Sequence, residues 1–303
     1  MKSARRLLAS SLCATLCCIS WPQTAAAAGV DCLETDAALA YWRPLREQAA
    51  ETELPADTLS LELVSCLASP NAELRDRIGY ELFTYWLRQE KLSDEIRWTL
   101  VLKLSDNLSS DKALLRSFSA LILAEVMRSD ASNSFMTTSQ RDELLPVVAI
   151  ALDRETDFRG LDPDIGWVHP VAHMADVLWR FALHPDCSGE QATAILAAVR
   201  TKVAPTEVSY AFNEGDRLAR AVATLIERGL LAPEVAGEWI GRFQSPKSME
   251  KWSDAFQSPV GMAELHNTKQ FLRALADQLA GSDLDPVIAE PLNALVNGFT
   301  QLI

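Results

Sequence analysis

The sequence predicts an all-α fold: an α-solenoid-like array of antiparallel helical hairpins, HEAT-like in pitch. Three observations predict it. Leu and Ala dominate the chain, Gly is scarce at 12 of 303 residues, and β-branched runs are few. Apolar residues recur at helical spacing between Pro, Ser, Asp and Gly. The segments so delimited are short, joined by brief loops and without a heptad seam, which suits stacked hairpins better than a long bundle. No crisp repeat shows at the roughly 40-residue period of such arrays, so the expectation rests on helix lengths and loops.

The chain begins with the pattern of a cleaved export signal over residues 1–28. Lys2, Arg5 and Arg6 form a basic start, Leu7 to Trp21 an apolar stretch, and Ala25 to Ala28 a small-residue cleavage zone. That stretch is too short for a membrane span, which needs about 20 apolar residues, and no later segment replaces it. Cys13, Cys17 and Cys18 lack the small pair that precedes a lipidated cysteine. The expected product is one soluble all-helical domain, residues 29–303, periplasmic or secreted.

Helices are expected at 34–50, 55–68, 71–90, 94–107, 111–128, 139–153, 169–184, 189–202, 213–229, 233–243 and 263–280. Ser69-Pro70-Asn71 opens the third and Ser93-Asp94-Glu95 the fourth. Ser139, with Asp142 or Glu143 a turn later, opens the sixth. Gly166 ends what precedes the seventh, and Pro170 sits in its first turn, where no interior N–H is lost. Gly229 and Gly281 stand where C-caps belong. Residues 154–168 read as a turn-rich loop. Residues 244–262, which repeat Gln-Ser-Pro, read as a short helix over an edge or a mobile lid.

The formal charge is −13. The signal holds three basic residues and no acidic one, so its removal gives −16. Nucleic acid and anionic membrane both need a basic footprint, and none is visible. Protein or peptide is the partner class left open. Beyond the signal stand Cys32, Cys66 and Cys187. In an oxidising compartment Cys32 and Cys66 are the candidate disulfide, clamping the first helices, with Cys187 the odd thiol. His184 lies near Cys187, a weak signal for a catalytic pair.

The unusual chemistry concentrates in one stretch. His169, His173, Asp176 and Arg180 are spaced to share one narrow helix face, and the positions around them are apolar. The expectation is a buried helix with one polar seam, which either bonds to partners inside the protein or lines a cavity. Two histidines four apart plus a carboxylate match divalent-metal ligand types, with His169, His173 and Asp176 as ligands. The glutamate of the H-E-x-x-H protease helix is absent, since Pro170, Val171 and Ala172 follow His169. Asp157 and Arg159 lie just before the stripe. Trp167 and Trp179 flank it as candidate pocket walls, while Trp86, Trp98 and Trp239 fall on apolar faces and read as core.

Gly166-Trp167-Val168-His169, Ala172-His173 and Ala175-Asp176 together resemble the GW-H-x-x-AH-x-A-D signature of a bacterial family known as domain of unknown function 2785. Phe212 to Ala219 resembles its Glu/Asp-Arg-Leu-Ala segment, and Asn267 to Leu275 its N-x-x-x-F-L-x-x-L helix. The resemblance covers roughly residues 75–280. It implies a helical fold and no particular activity. It also draws attention to Glu214 and Arg217, whose helix, one removed from the stripe, can lie beside it; the alternative for that pair is an exposed ion pair at a helix start.

Two functions follow as expectations. One is an exported scaffold whose groove binds a protein, a peptide or another envelope ligand. The other is a metal-assisted hydrolase, with His169, His173 and Asp176 on a divalent ion, Glu214 as ligand or general base, and Arg180 or Arg217 stabilising an anion. Fold class alone does not choose between them.

Overall fold

A computed structural model describes Cys32 and residues 35–302; the export segment lies outside the described residues. The chain is predominantly helical. Its helices are α1 (Thr35–Gln48), α2 (Ala56–Leu63), α3 (Glu81–Arg88), α4 (Asp94–Asn107), α5 (Ala113–Ser132), α6 (Thr138–Arg154), α7 (Pro170–Leu183), α8 (Gly189–Lys202), α9 (Glu214–Glu227), α10 (Pro233–Gly241), α11 (Pro259–Gln278) and α12 (Pro286–Gln301). A wider helical turn, Glu73–Tyr80, runs straight into α3, and tighter turns extend α2 and α10.

The boundaries match the expected helices closely, with three differences. The start of α6 is set by Thr137, whose hydroxyl accepts from the Gln140 N–H while Gln140 returns the bond, so the capping box lies two residues before Ser139. Residues 244–262 hold a short turn, Trp252–Gln257, and then the first residues of α11, which Ser258 caps. α12 was not expected, because Pro291 interrupts its apolar pattern. Pro286 occupies its first turn, Asp285 caps it, and Ile288, Leu292, Leu295 and Phe299 bury one face.

Packing follows alternation. α3, α5, α7, α9 and α11 touch in succession and form one row. α4, α6 and α8 touch in succession behind them, and α10 packs on α12. Buried ion pairs staple the rows together. Arg116 on α5 grips Glu155, just past α6, at 2.8 and 2.7 Å. Arg141 on α6 reaches Asp130 on α5 at 3.0 Å. Cys32 and Cys66 form a disulfide, which ties the start of the chain to the turn after α2; Cys187 is buried and unpaired. No helix among the described residues is long and apolar enough to cross a membrane.

Residues 154–168 are more ordered than a loop. Leu161–Asp162 (β1) and Gly166–Trp167 (β2) form a minimal antiparallel hairpin, with Leu161 opposite Trp167. Asp162 caps its turn by accepting from the Asp164 N–H at 3.0 Å, and Gly166 takes φ +79°, which suits glycine. The side chains of Asp157 and Arg159 make no bond to the seam. Arg159 is spent on Asp157 and Asp162, bracing the hairpin from outside.

Candidate functional site

α7 carries the seam, but His169 is not in phase with it. His169 takes the N-cap with φ 52° and ψ 41°, left-handed for a non-glycine residue. Its backbone is fixed on both sides, its N–H donating to Arg159 O at 3.0 Å and its carbonyl accepting from His173 N–H at 3.1 Å. The ring therefore leaves the helix axis and meets α9. Its Nε2 lies 2.7 Å from the carbonyl oxygen of Phe212. A carbonyl only accepts, so Nε2 carries the proton. Glu214 Oε1 stands 3.6 Å from the same nitrogen, and Glu214 Oε2 accepts from the Phe212 N–H at 2.9 Å. Glu214 is 2% exposed, which removes the reading of it as a surface ion pair.

His173, one turn on, is 8% exposed. Its Nδ1 lies 2.8 Å from Ser117 Oγ and 3.2 Å from Ser117 O. The carbonyl again settles the proton on the facing nitrogen. Ser117 Oγ–H is itself donated to Val168 O, so the hydroxyl oxygen accepts from the imidazole. Nε2 is thereby left as a bare lone pair without a hydrogen-bond partner among the described residues. Burial, aided by repulsion from His169, drives the His173 pKa down to about 3. Burial likewise lowers that of His169, against the pull of Glu214.

Asp176 is the next seam residue. Arg217 Nη1 on α9 donates to its Oδ2, while Oδ1 is buried with no hydrogen-bond partner. Arg180, at the far end, lies 3.8 Å from Glu125 Oε1 and over the ring of Trp179, 4.2 Å from its centroid. The seam is thus mostly an internal network, with His173 Nε2 its open point. Among the described residues no group of three or more His, Cys, Asp or Glu side chains is disposed to hold a metal ion. Geometry gives the reason. His169 Nε2 is committed to a carbonyl, Asp176 Oδ2 to a guanidinium, and the His169 and His173 rings meet edge-on with centroids 5.9 Å apart.

His173 opens onto a cleft of about 520 Å³, lined by Asp76, Tyr80, Phe118, Leu121, Trp167, His169, His173, Ala211, Phe212, Asn213 and Arg217. Trp167 stacks on His169 at 5.1 Å and is 45% exposed, an unusual exposure for so large an apolar ring. Phe212 meets Trp167 edge-on at 5.9 Å. Beside the hairpin Arg75, fully buried, donates to both oxygens of Asp76 at 2.8 and 3.1 Å. It also donates to Ile165 O in the hairpin turn at 2.9 Å, so one guanidinium sets the height of Trp167 and the aim of Asp76. Burial raises the Asp76 carboxyl, with Arg75 opposing.

The loop that delivers Phe212 is held from α11. Asn267, wholly buried, donates to Pro205 O at 3.0 Å and Val208 O at 2.8 Å and accepts from the Tyr210 N–H at 2.8 Å. His266 adds a contact to Tyr210 O at 3.0 Å. α9 packs directly on α11 here, Gly215 facing the Phe271 backbone. Two segments distant in sequence, 166–176 and 212–217, therefore meet at this cleft, and a third, around Asn267, fixes the loop that delivers Phe212. They are the stretches that carry the sequence signature. Ser117, Phe118, Arg75 and Asp76 carry no such mark; an arginine within the apolar spacing of Leu74 and Ile78 was the available hint of a buried anchor.

A family model described as protein of unknown function (DUF2785) matches residues 103–276, which contain most of the cleft and all of the seam. No curated protein and no solved structure matches the chain.

Proposed function

The chain belongs to the DUF2785 family of proteins of unknown function, and on that premise we propose that it is an exported scaffold that binds a peptide or a peptide-like segment of a protein in the cleft at His173. The helical rows are taken as a HEAT-like solenoid, whose inner row supplies a continuous recognition surface. Export follows from the basic and apolar first residues, and the Cys32–Cys66 bond is compatible with an oxidising destination.

The reading rests on one observation: segments 166–176 and 212–217 meet at a cleft where Ser117 holds the His173 ring with Nε2 as a bare acceptor, beside the exposed Trp167 ring. A peptide N–H satisfies the first, and an apolar or aromatic side chain covers Trp167, Phe118 and Phe212. The same geometry speaks against proton abstraction. A base held at about pKa 3 is a poor proton acceptor at neutral pH, where a general base works best near its own pKa. It remains a good hydrogen-bond acceptor.

Panning the full chain against a random nine-residue peptide library tests this, followed by titration of the binders with detection at the tryptophan indole N–H signals. The reading requires that binders move Trp167 and lose affinity in Trp167→Ala. Binders that leave Trp167 unmoved, or a library that yields none, would overturn it.

A further inference from the structure

The chain carries 41 acidic against 28 basic residues, yet its inner row gathers arginines. Arg88 on α3, Arg128 on α5, Arg180 on α7, and Arg217 and Arg220 on α9 are brought to one region by the succession α3–α5–α7–α9. No basic patch shows in the sequence because these residues come from four separate helices and converge only on folding. Two carboxylates sit among them, and both are occupied. Glu125 is gripped by Arg88 at 2.8 and 2.9 Å, and Asp176 by Arg217.

Arg128, Arg180 and Arg220 are left over from these short pairs, Arg180 keeping only a 3.8 Å approach to Glu125 Oε1. None of the three guanidiniums donates a hydrogen bond within the described residues, although each carries a full fork of N–H donors. Arg180 and Arg220 both lie over the Trp179 ring, 4.2 and 4.8 Å from its centroid, so one aromatic ring fixes two cations in place. Burial lowers the pKa of Arg180, the attraction of Glu125 and Asp176 opposing it and repulsion from Arg128 and Arg88 adding to it. Clustered like charges destabilise a fold, and this chain has acids to spare for relieving them. Arginines left in excess of their two carboxylates beside the cleft are arranged for an anion that arrives from outside.

We propose that Arg128, Arg180 and Arg220, braced by Trp179, form an oxyanion subsite that takes a carboxylate or phosphate group of the bound ligand. Arg217 links the two regions, since it lines the cleft and pairs with Asp176 one turn from Arg180. The inference rests on the cleft reading for the remainder of the ligand, but the subsite is tested without it. Guanidinium forks match both oxyanions bidentately, so the two sources are separate arms of the experiment.

The test titrates inorganic phosphate, and separately acetate, into the full chain at constant ionic strength, following the arginine Nε–Hε signals by NMR. Saturable shifts at Arg180 and Arg220 are expected, with a midpoint on the order of 1 mM. Affinity should fall about tenfold or more in Arg180→Gln/Arg220→Gln, and stay unchanged in Arg242→Gln, whose partner is the exposed Glu238. Stronger phosphate than acetate binding would assign a phosphorylated ligand, and the reverse a carboxylate. Should the double variant fail to fold by circular dichroism, Arg220→Gln alone gives the comparison. Shifts that chloride reproduces, or that survive the arginine substitutions, would overturn the subsite. The cleft reading stands or falls separately, on peptide-induced shifts at Trp167.

Discussion

His169 and Asn213 hold the same left-handed backbone, φ 52° and 66°, at the N-caps of α7 and α9, and both line the cleft. Neither side chain caps its own helix, so two adjacent helices begin under strain around one opening. Such conformations cost about 1 kcal/mol or more for residues other than glycine. Asn tolerates this region best, so Asn213→Gly should leave stability unchanged or raise it by up to about 1 kcal/mol. Asn213→Ala should lower it by about 1 kcal/mol, read by urea denaturation.

The buried histidines make stability depend on pH in a specific window. The folded-state pKa of His173 is about 3, against about 6.5 unfolded. Between those values the unfolded chain binds the extra proton, so the stabilisation is complete above about pH 6.5 and is lost as pH falls toward 3. The slope attributable to His173 reaches about 1.4 kcal/mol per pH unit. His169, also lowered by burial, adds in the same direction. Denaturant midpoints from pH 7 to 4.5 should fall less steeply in His173→Gln than in the parent; parallel curves would refute the assignment.

Arg217 and Asp176 form a partly buried pair whose carboxylate already has one oxygen without a partner. Arg217→Ala should cost about 2–4 kcal/mol, because it strands the charge. Adding Asp176→Ala should recover a large part of that loss. A double-mutant cycle by chemical denaturation measures it, and additive single effects would show that the two residues do not interact.

Gly160 is where the hairpin seats Phe212. A Cβ there would lie 2.1 Å from the Phe212 ring, and the ring cannot yield without moving the carbonyl that accepts from His169. Gly160→Ala should destabilise by about 1–3 kcal/mol and abolish peptide binding, whereas Gly241→Ala, with open space around it and an ordinary helical backbone, should leave binding intact.

The Cys32–Cys66 bond closes a loop with a sequence separation of 34. Cys32→Ser/Cys66→Ser should reduce stability by about 2–4 kcal/mol on the loop-entropy account, and reducing agent should then have no further effect on the variant.

Much of this was legible in the chain. Ser93 and Asp285 are conventional caps, and the 3.6-residue apolar spacing places α4 and α8 to the residue. The first alone was foreseen; Asp285 and α12 were obscured by Pro291, whose ring breaks the periodicity in text while the helix accommodates it in space. The seam was legible because polar residues on an otherwise apolar helix are rare, and Glu214 and Arg217 because alternate helices in stacked hairpins touch. What the sequence hides is backbone direction. His169 reads as helical until its left-handed φ turns the ring toward Phe212. The arginine cluster is invisible for the same reason, since its members are assembled by packing, without any local spacing to announce them. Ser117, which fixes the tautomer of His173, is one serine among many until α5 and α7 pack.

His173 presents a bare Nε2 to the cleft between α7 and the start of α9, and the proposed peptide binding turns on it. The most direct measurement is a long-range ¹H–¹⁵N spectrum of the histidine rings at pH 7, before and after adding a peptide selected by panning. The account predicts a His173 ring protonated on Nδ1 alone, with its unprotonated Nε2 signal moving on binding. A proton found on Nε2, or an Nε2 signal that stays fixed while the peptide binds, would contradict it.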